Sequence, residues 1–389
     1  MIESIGVVCA FAVVRKMTAS PSSAVGLLSS VEEEEEADNS SGSTCRSSSS
    51  SASLRLGLLA DIQYAPIDDG FSYGGTPRYY RHALDAAERA SLDLESQGNI
   101  DAVLNLGDTI DGQCVNHDPL SCLQRVLSVL TDNYVSGPIH HTYGNHELYS
   151  MDRSTLFPQI HSHDNEQDVG YYSTILNKQW KLIVLDSYDI SLLKQSKDKR
   201  DLAHEILSEN NPNYKLGMEN SPEGLEGLER RFVAFGGGID TPQLNWLRQT
   251  LEEARNDGQY VLIMSHQPIM PESSHPVCLV WNYQDVMDIL DDYSDIVAMH
   301  LSGHAHSGGY GRSDNGIHYR VMEAILESPP PICTYGILNI INSNKSIQIQ
   351  GFGNCKSATY SLDHLRQQPL QTDDNHNDND ATNSHPLIL

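Results

Sequence analysis

Five apolar runs of strand length in this chain stop at the same kind of residue, and that repetition limits the possible folds more than any other feature. Leu54–Ala60 stops at Asp61, with Gln63 two positions on, and Asp101–Leu106 stops at Gly107-Asp108. Pro138–Tyr143 runs into Gly144-Asn145-His146-Glu147, Tyr260–Met264 into Ser265-His266, and Ile296–Leu301 leads to Gly303-His304-Ala305-His306. Short apolar runs bounded in this way read as buried strands. In layered α/β sheets ligands collect where the carboxyl ends of strands meet loops, so polar side chains at five such ends point to one shared site. A lone histidine on a strand is ordinarily structural, and a lone aspartate closing one is ordinarily a turn or helix-cap residue. Five together, in chain order, are poorly explained as separate accidents.

Helical periodicity fills the intervals. Pro77 opens a stretch to Gln97 with Tyr80, Leu84, Ala87, Ser91 and Leu94 on one face, and Gly98 is a natural stop. Further helices are expected over Pro119–Leu130, Thr241–Asn256 and Asp285–Asp291. Tyr171–Leu176 and Trp180–Asp186 read as strands around an Asn177-Lys178 turn, while residues 150–170 are expected to be irregular. Gly316–Met322, Tyr335–Ile341 and Ser346–Gly351 are expected as antiparallel strands. The segment 187–238 is charged and weakly periodic, with helix expected only near Asp201–Ser208; a loop-rich insertion of that size reads as an active-site rim. Pattern alone therefore gives a layered α/β domain over 54–366.

The ends differ in composition. Residues 1–53 hold Glu32–Glu36 and a Ser/Gly tract, and 367–389 form an acidic Asp/Asn tail; both are expected to be disordered. Of the net charge of −27, each end supplies −4, leaving −19 on the middle. So acidic a domain repels nucleic acid at long range, and any phosphate substrate needs bound cations for its local positive charge. Cysteines 9, 45, 114, 122, 278, 333 and 355 are odd in number and form no CxxC, a pattern suited to a reducing compartment. The apolar run Ile5–Val14 is too short to span a bilayer, and its basic residues follow it rather than precede it. A cytoplasmic monomer without membrane or nucleic-acid partners is the expectation.

The side chains at the strand ends suit divalent metals. Alternation along an extended His304-Ala305-His306 puts both imidazoles on one side, where they converge on adjacent positions. Carboxylate, amide and imidazole donors read together as a two-metal site for hydrolysing a phosphate ester or phosphoanhydride. A non-catalytic scaffold would be expected to have lost one of these groups, and none is missing.

The order of these motifs resembles the calcineurin-like metallophosphoesterase superfamily. More narrowly, Ala60-Asp61-Ile62-Gln63-Tyr64, Asp69-Gly70-Phe71, Arg78-Tyr79-Tyr80-Arg81-His82, Gly107-Asp108-Thr109, Tyr143-Gly144-Asn145-His146-Glu147, Val277-Cys278-Leu279-Val280-Trp281-Asn282-Tyr283 and Gly303-His304-Ala305-His306 resemble the manganese-dependent ADP-ribose/CDP-alcohol diphosphatases. The resemblance implies a four-layer αββα sandwich of two mixed β-sheets flanked by helices, and cleavage of a small-molecule nucleoside diphosphate conjugate. It implies two divalent ions, manganese by expectation. Asp61, Gln63, Asp108 and His306 would hold one, while Asn145, His266 and His304 would hold the other with Asp108 as bridge. Gln63 stands where the wider superfamily has histidine; its harder amide donor favours an exchangeable ion such as Mn²⁺, and hydrogen bonding beside the metal is the alternative role. His146 is the candidate acid, oriented by Glu147 or Asp111. Phe71, Tyr73, Arg78, Cys278 and Tyr310 are the candidate substrate contacts, Arg81 is an alternative to Arg78, and Trp281 is either pocket wall or core. A phosphomonoester, phosphoprotein or cyclic nucleotide is the alternative substrate for the same chemistry.

Overall fold

The computed structural model describes residues 53–161 and 169–366; both ends, and the middle of the 150–170 segment, lie outside the described residues. In chain order the elements are β1 (Leu54–Leu59), β2 (Gly70–Phe71), β3 (Pro77–Arg78), α1 (His82–Gln97), β4 (Ala102–Asn105), α2 (Pro119–Asn133), β5 (Ile139–His141), α3 (Asn145–Ser150) and α4 (Arg153–Ile160). There follow β6 (Tyr172–Asn177), β7 (Trp180–Val184), α5 (Lys197–Asn210), α6 (Thr241–Asn256), β8 (Tyr260–Met264), α7 (Tyr283–Asp292), β9 (Val297–Ser302) and β10 (Ser307–Arg312). The last are β11 (His318–Glu323), β12 (Tyr335–Ile341), β13 (Ser346–Phe352) and β14 (Ala358–Ser361).

Period-two alternation sorts the apolar side chains of the strands into three cores. Leu54, Leu56 and Leu58 of β1 face Leu182 and Val184 of β7 and Leu262 and Met264 of β8, all buried between two sheets. Leu59 of β1 and Val103 of β4 face the other way, onto Ala83, Ala87 and Leu94 of α1 and Leu123, Val126 and Leu130 of α2. Ile183, Val261 and Ile263 turn outward from the second sheet to meet Leu247 and Leu251 of α6 and Val286 and Ile289 of α7. Helices, sheet, sheet, helices is the four-layer arrangement that the family resemblance implied. Each fully buried leucine contributes about 1.5–3 kcal/mol relative to exposure, so the inter-sheet layer is a principal source of stability.

One sheet has the strand order β14-β13-β12-β1-β4-β5 and the other β10-β11-β9-β8-β7-β6. Strands β1, β4 and β5 are mutually parallel, with Leu59 opposite Asn105 and Asn105 opposite His141, so their carboxyl ends form one edge. Strands β8 and β9 are parallel with Met264 opposite Leu301, and deliver His266 and His304 at the same level of the second sheet.

Four local expectations need correction. Pro77 does not open the helix, because Pro77–Arg78 is strand β3 and α1 begins at His82. His304-Ala305-His306 is not extended: His304 has φ 67° and the three residues form a turn, so simple alternation does not place the two rings. Residues 150–170 are not wholly irregular: α4 occupies Arg153–Ile160, and its apolar face of Leu156, Phe157 and Ile160 joins the first core. The strand at 318–323 is antiparallel to β10 but parallel to β9, so it is not purely antiparallel. Strand β10 itself is hidden in a glycine-rich sequence, because its backbone passes close to the 270–273 turn. A Cβ on Gly309 would lie 1.9 Å from the carbonyl oxygen of Ser273.

Candidate active site

The strand ends bring the seven candidate ligands together, with Asp61, Gln63, Asp108, Asn145 and His266 buried and His304 and His306 half-buried. Four of them hold left-handed backbone: Asp61 at φ 49°, Gln63 at 45°, Asp108 at 52° and His304 at 67°. Such conformations cost on the order of 1–3 kcal/mol each and persist only where surrounding structure imposes them. Here they turn the side chains away from the strand direction and into a common space. The approach of Gly144 is equally tight, since a Cβ there would sit 2.0 Å from Asp108 Oδ1 and 2.6 Å from His266 Nε2.

Asp108 lies between two groups of donors. On one side its Oδ2 is 3.2 Å from His266 Nε2, which is 3.2 Å from His304 Nδ1. The carboxylate and the two imidazoles offer atoms all within 4.8 Å of one another. On the other side Gln63 Nε2 is 2.9 Å from Asp108 Oδ2 and 3.1 Å from His306 Nε2, and His306 Nε2 is 3.5 Å from Asp61 Oδ1. Asn145 is buried, with Oδ1 accepting from the Tyr188 hydroxyl at 3.1 Å and Nδ2 donating to Tyr149 Oη at 3.2 Å.

These residues fit divalent cations on three grounds. His266 Nδ1–H donates to the Leu106 carbonyl at 2.8 Å, and His306 Nδ1 is 2.8 Å from Glu327 Oε1, so each ring turns Nε2 inward toward the cluster, where a cation could replace its present polar neighbours. His304 Nε2 and Gln63 Oε1 are buried polar atoms without a partner. Turning the Gln63 amide over would set Oε1 beside Asp108 and His306, giving the cluster one more oxygen donor. Finally, the cluster buries two carboxylates, Asp61 and Asp108, and burial raises the pKa of Asp61, a cost that a bound cation would offset. Burial opposes a proton on His266, but the adjacent Asp108 lifts its pKa to about 9. Burial likewise disfavours charge on Asp108, yet His266 and His146 hold its carboxyl well below the usual range. Burial and His266 together keep His304 neutral, far below the ordinary imidazole value.

His146 stands at this cluster's edge with Nε2 4.0 Å from Asp108 Oδ2. Its Nδ1 is 3.0 Å from Asp111 Oδ2 and 2.9 Å from the Gly112 amide nitrogen: in the charged ring Nδ1–H donates to Asp111, and in the neutral ring Nδ1 accepts from Gly112. Burial works against its protonation, but Asp108 and Asp111 raise its pKa above the ordinary value. Of the two orienting candidates, Asp111 is the one beside the ring. Glu147 instead accepts from the amides of Gly144, at 2.9 Å, and Thr109, tying the α3 start to the β4 loop. Burial, then Asp108, pushes Glu147 up to about 7.

The expected substrate contacts separate. Arg78 is half-buried near Asp111 and Tyr80, and its charge acts on Asp111 and His146. Arg81 pairs at the surface with Asp68. Phe71 and Tyr73 are exposed on the β2–β3 hairpin. Tyr73 lines a cleft of about 720 Å³ with Met218, Arg230, Phe235 and His275, and the Phe235 ring lies 6.0 Å from that of His304. Burial pushes the Cys278 thiol up to about 12, which disfavours the thiolate. Tyr310 is drawn elsewhere: its hydroxyl is 2.9 Å from His318 Nδ1 and its ring packs on Tyr360, contacts that serve the sheet edge. Trp281 is core, buried with Phe232, Ala203 and Leu207.

Sequence reasoning passed over Glu327, Tyr188 and Phe235. Tyr188 follows β7 as part of Asp186-Ser187-Tyr188-Asp189, a polar strand end of the kind found at the other five, so the same rule would have reached it. Glu327 carries no comparable signal.

The calcineurin-like phosphoesterase profile matches residues 54–308. A manganese-dependent ADP-ribose/CDP-alcohol diphosphatase from Arabidopsis thaliana is 37% identical over 293 residues, covering 75% of this chain and 92% of the relative. The chain belongs to this diphosphatase family of calcineurin-like phosphoesterases. The Homo sapiens family member is 34% identical over 314 residues, covering 76% of this chain and 89% of its own length. A crystal structure of a dimetal phosphatase from Danio rerio superposes with a TM-score of 0.74 at 30% identity, covering 80% of this chain and 99% of that one. Both expectations drawn from the motifs, fold and family, are thereby met. No helix among the described residues is long and apolar enough to cross a membrane.

Proposed function

We propose that this chain is a manganese-dependent hydrolase of nucleoside diphosphate conjugates, splitting ADP-ribose to AMP and ribose 5-phosphate and CDP-alcohols to CMP and a phospho-alcohol. The observation that carries the reading is the position of Asp108, whose Oδ2 lies 2.9 Å from Gln63 Nε2 on one side and 3.2 Å from His266 Nε2 on the other. A carboxylate so placed can be shared by two cations roughly 3.5–4 Å apart. Asp61, Gln63, Asp108 and His306 would hold one ion, and Asp108, Asn145, His266 and His304 the other. Bound there, the ions supply Lewis acidity toward the phosphoryl oxygens and make water nucleophilic at neutral pH.

The chain's own residues do the rest. His146 holds a proton on Nε2, at the cluster's mouth, and passes it to the oxygen of the departing phosphate as the P–O bond breaks. In the charged ring the opposite nitrogen, Nδ1–H, donates to Asp111 Oδ2 at 3.0 Å, which holds the ring in place and leaves a neutral imidazole once the Nε2 proton has been given up. Proton donation of this kind contributes about 10²–10⁴ in rate. Arg78, whose charge acts on both Asp111 and His146, suits the outer phosphate oxygens. The cleft between Tyr73 and Phe235 suits the group beyond the phosphates, which supports the end of segment 187–238 as active-site rim. The five described cysteines are free thiols, which supports the cytoplasm as location, and we take the active form to be a monomer.

The test is a panel on the full chain, stripped of metal and resupplied with Mn²⁺. ADP-ribose should yield AMP and CDP-choline should yield CMP, each faster than cyclic AMP or a phosphomonoester is hydrolysed. Failure to release AMP or CMP, or faster hydrolysis of cyclic AMP, overturns the proposal.

A further inference from the structure

The Asn145 amide is clamped from both ends by tyrosines. Tyr188, fully buried, donates its hydroxyl to Asn145 Oδ1 at 3.1 Å, and the Nδ2 end gives its hydrogen bond to Tyr149 Oη at 3.2 Å. The Tyr188 ring also lies against His266, with centroids 6.1 Å apart.

The Tyr188 backbone is itself held on every side. Its amide donates to Asp186 Oδ1 at 2.8 Å, and its carbonyl accepts from Arg153 Nη2 at 2.7 Å, Ser191 Oγ at 3.0 Å and Gln195 Nε2 at 3.3 Å. Arg153 reaches back to Asp186 Oδ2 at 2.8 Å and to the hydroxyl of Tyr143, the last residue before the Gly144-Asn145 turn. Gln243 of α6 closes the network by accepting from the Asp186 amide at 2.9 Å. A hydroxyl anchored this firmly is suited to set the orientation of what it touches.

An amide oxygen has two lone pairs, so Oδ1 can accept from Tyr188 with one and face a cation with the other. A primary amide without such a clamp is free to rotate and to present its NH₂ end, which repels a cation. We infer that Tyr188 is a positioning residue: it fixes the Asn145 amide with its oxygen toward the metal, and so sets cation affinity at the Asn145–His266–His304 position. The inference rests on the assignment of Asn145 as a ligand under the proposed function.

The test is a Mn²⁺ titration of the full chain followed by electron paramagnetic resonance, with turnover at saturating Mn²⁺ and thermal melting alongside. Tyr188→Phe removes only the hydroxyl, and Mn²⁺ affinity at one of the two positions should fall by about tenfold, the scale on which outer partners of metal ligands act. Tyr149→Phe, at the other end of the clamp, should show the same signature and serves if Tyr188→Phe folds poorly. Added to Asn145→Ala, Tyr188→Phe should weaken Mn²⁺ no further, because the group it positions is gone. A Tyr188→Phe protein that melts lower but binds Mn²⁺ as the parent does, while Asn145→Ala binds it weakly, overturns this inference alone. If Asn145→Ala leaves Mn²⁺ binding unchanged, the ligand assignment has failed and the inference with it.

Discussion

Replacing Gly144 with alanine should disable the site through a single methyl group. The glycine has φ −113°, which alanine adopts freely, so backbone strain plays no part. The effect is steric: the new Cβ would lie 2.0 Å from Asp108 Oδ1, 2.6 Å from Asp108 Cγ and 2.6 Å from His266 Nε2. Neither neighbour can yield easily. Asp108 Oδ1 accepts from the His146 amide at 2.9 Å, and His266 is tied to the Leu106 carbonyl at 2.8 Å. Restoring ordinary contact requires a displacement of about 1 Å or more, a shift that typically costs on the order of 10²-fold in rate. Overpacking should also cost about 1–3 kcal/mol of stability. The assay is Mn²⁺-dependent release of AMP from ADP-ribose, with Mn²⁺ affinity and thermal melting on the same preparation. Turnover and Mn²⁺ affinity within about threefold of the parent would refute the claim that Asp108 and His266 are locked against this turn.

Three further outcomes follow from the geometry. His146→Ala should lose about 10²–10⁴ in turnover with Mn²⁺ content unchanged, measured by steady-state kinetics and metal analysis; unchanged turnover would remove His146 as the acid. Glu327→Gln should weaken Mn²⁺ binding by about 10–100-fold, because the amide holds His306 Nδ1–H less strongly, and equal affinity would leave the pair without a role. Buried His300, whose Nε2 is 2.8 Å from Ser265 Oγ, is depressed by burial to about 3. The unfolded chain therefore binds the proton first, so stability is intact above the unfolded value and is lost as pH falls toward 3. Between pH 7.5 and 5 the parent should lose about 2 kcal/mol more than His300→Gln in denaturant titrations, and equal losses would contradict the assignment.

Much of the site was legible because parallel strands of strongly apolar character project whatever follows them to one edge. That rule located Asp61, Asp108, Asn145, His266 and His304 together from their sequence neighbours alone. It could not reach Glu327, which follows β11 and meets His306 only through the packing of the chain between β11 and β12. Helix α4 was hidden because its apolar face has just three residues within a polar stretch. Strand β10 was hidden because close approach to Ser273 demands glycine where strand sequences ordinarily carry bulk. Tyr310 stands four residues beyond His306, roughly 13 Å along an extended strand, and its hydroxyl turns to His318. The roles of Asp111 and Glu147 likewise depended on which carboxylate the turn after Asp108 brought to the imidazole.

The central claim, that Asp108 is shared by two cations, is tested most directly by the manganese stoichiometry of three proteins at saturation. The parent chain should bind about two Mn²⁺ ions, Asn145→Ala about one, and Asp108→Ala essentially none. An Asp108→Ala protein that is folded and still retains one tightly bound Mn²⁺ would contradict a shared carboxylate.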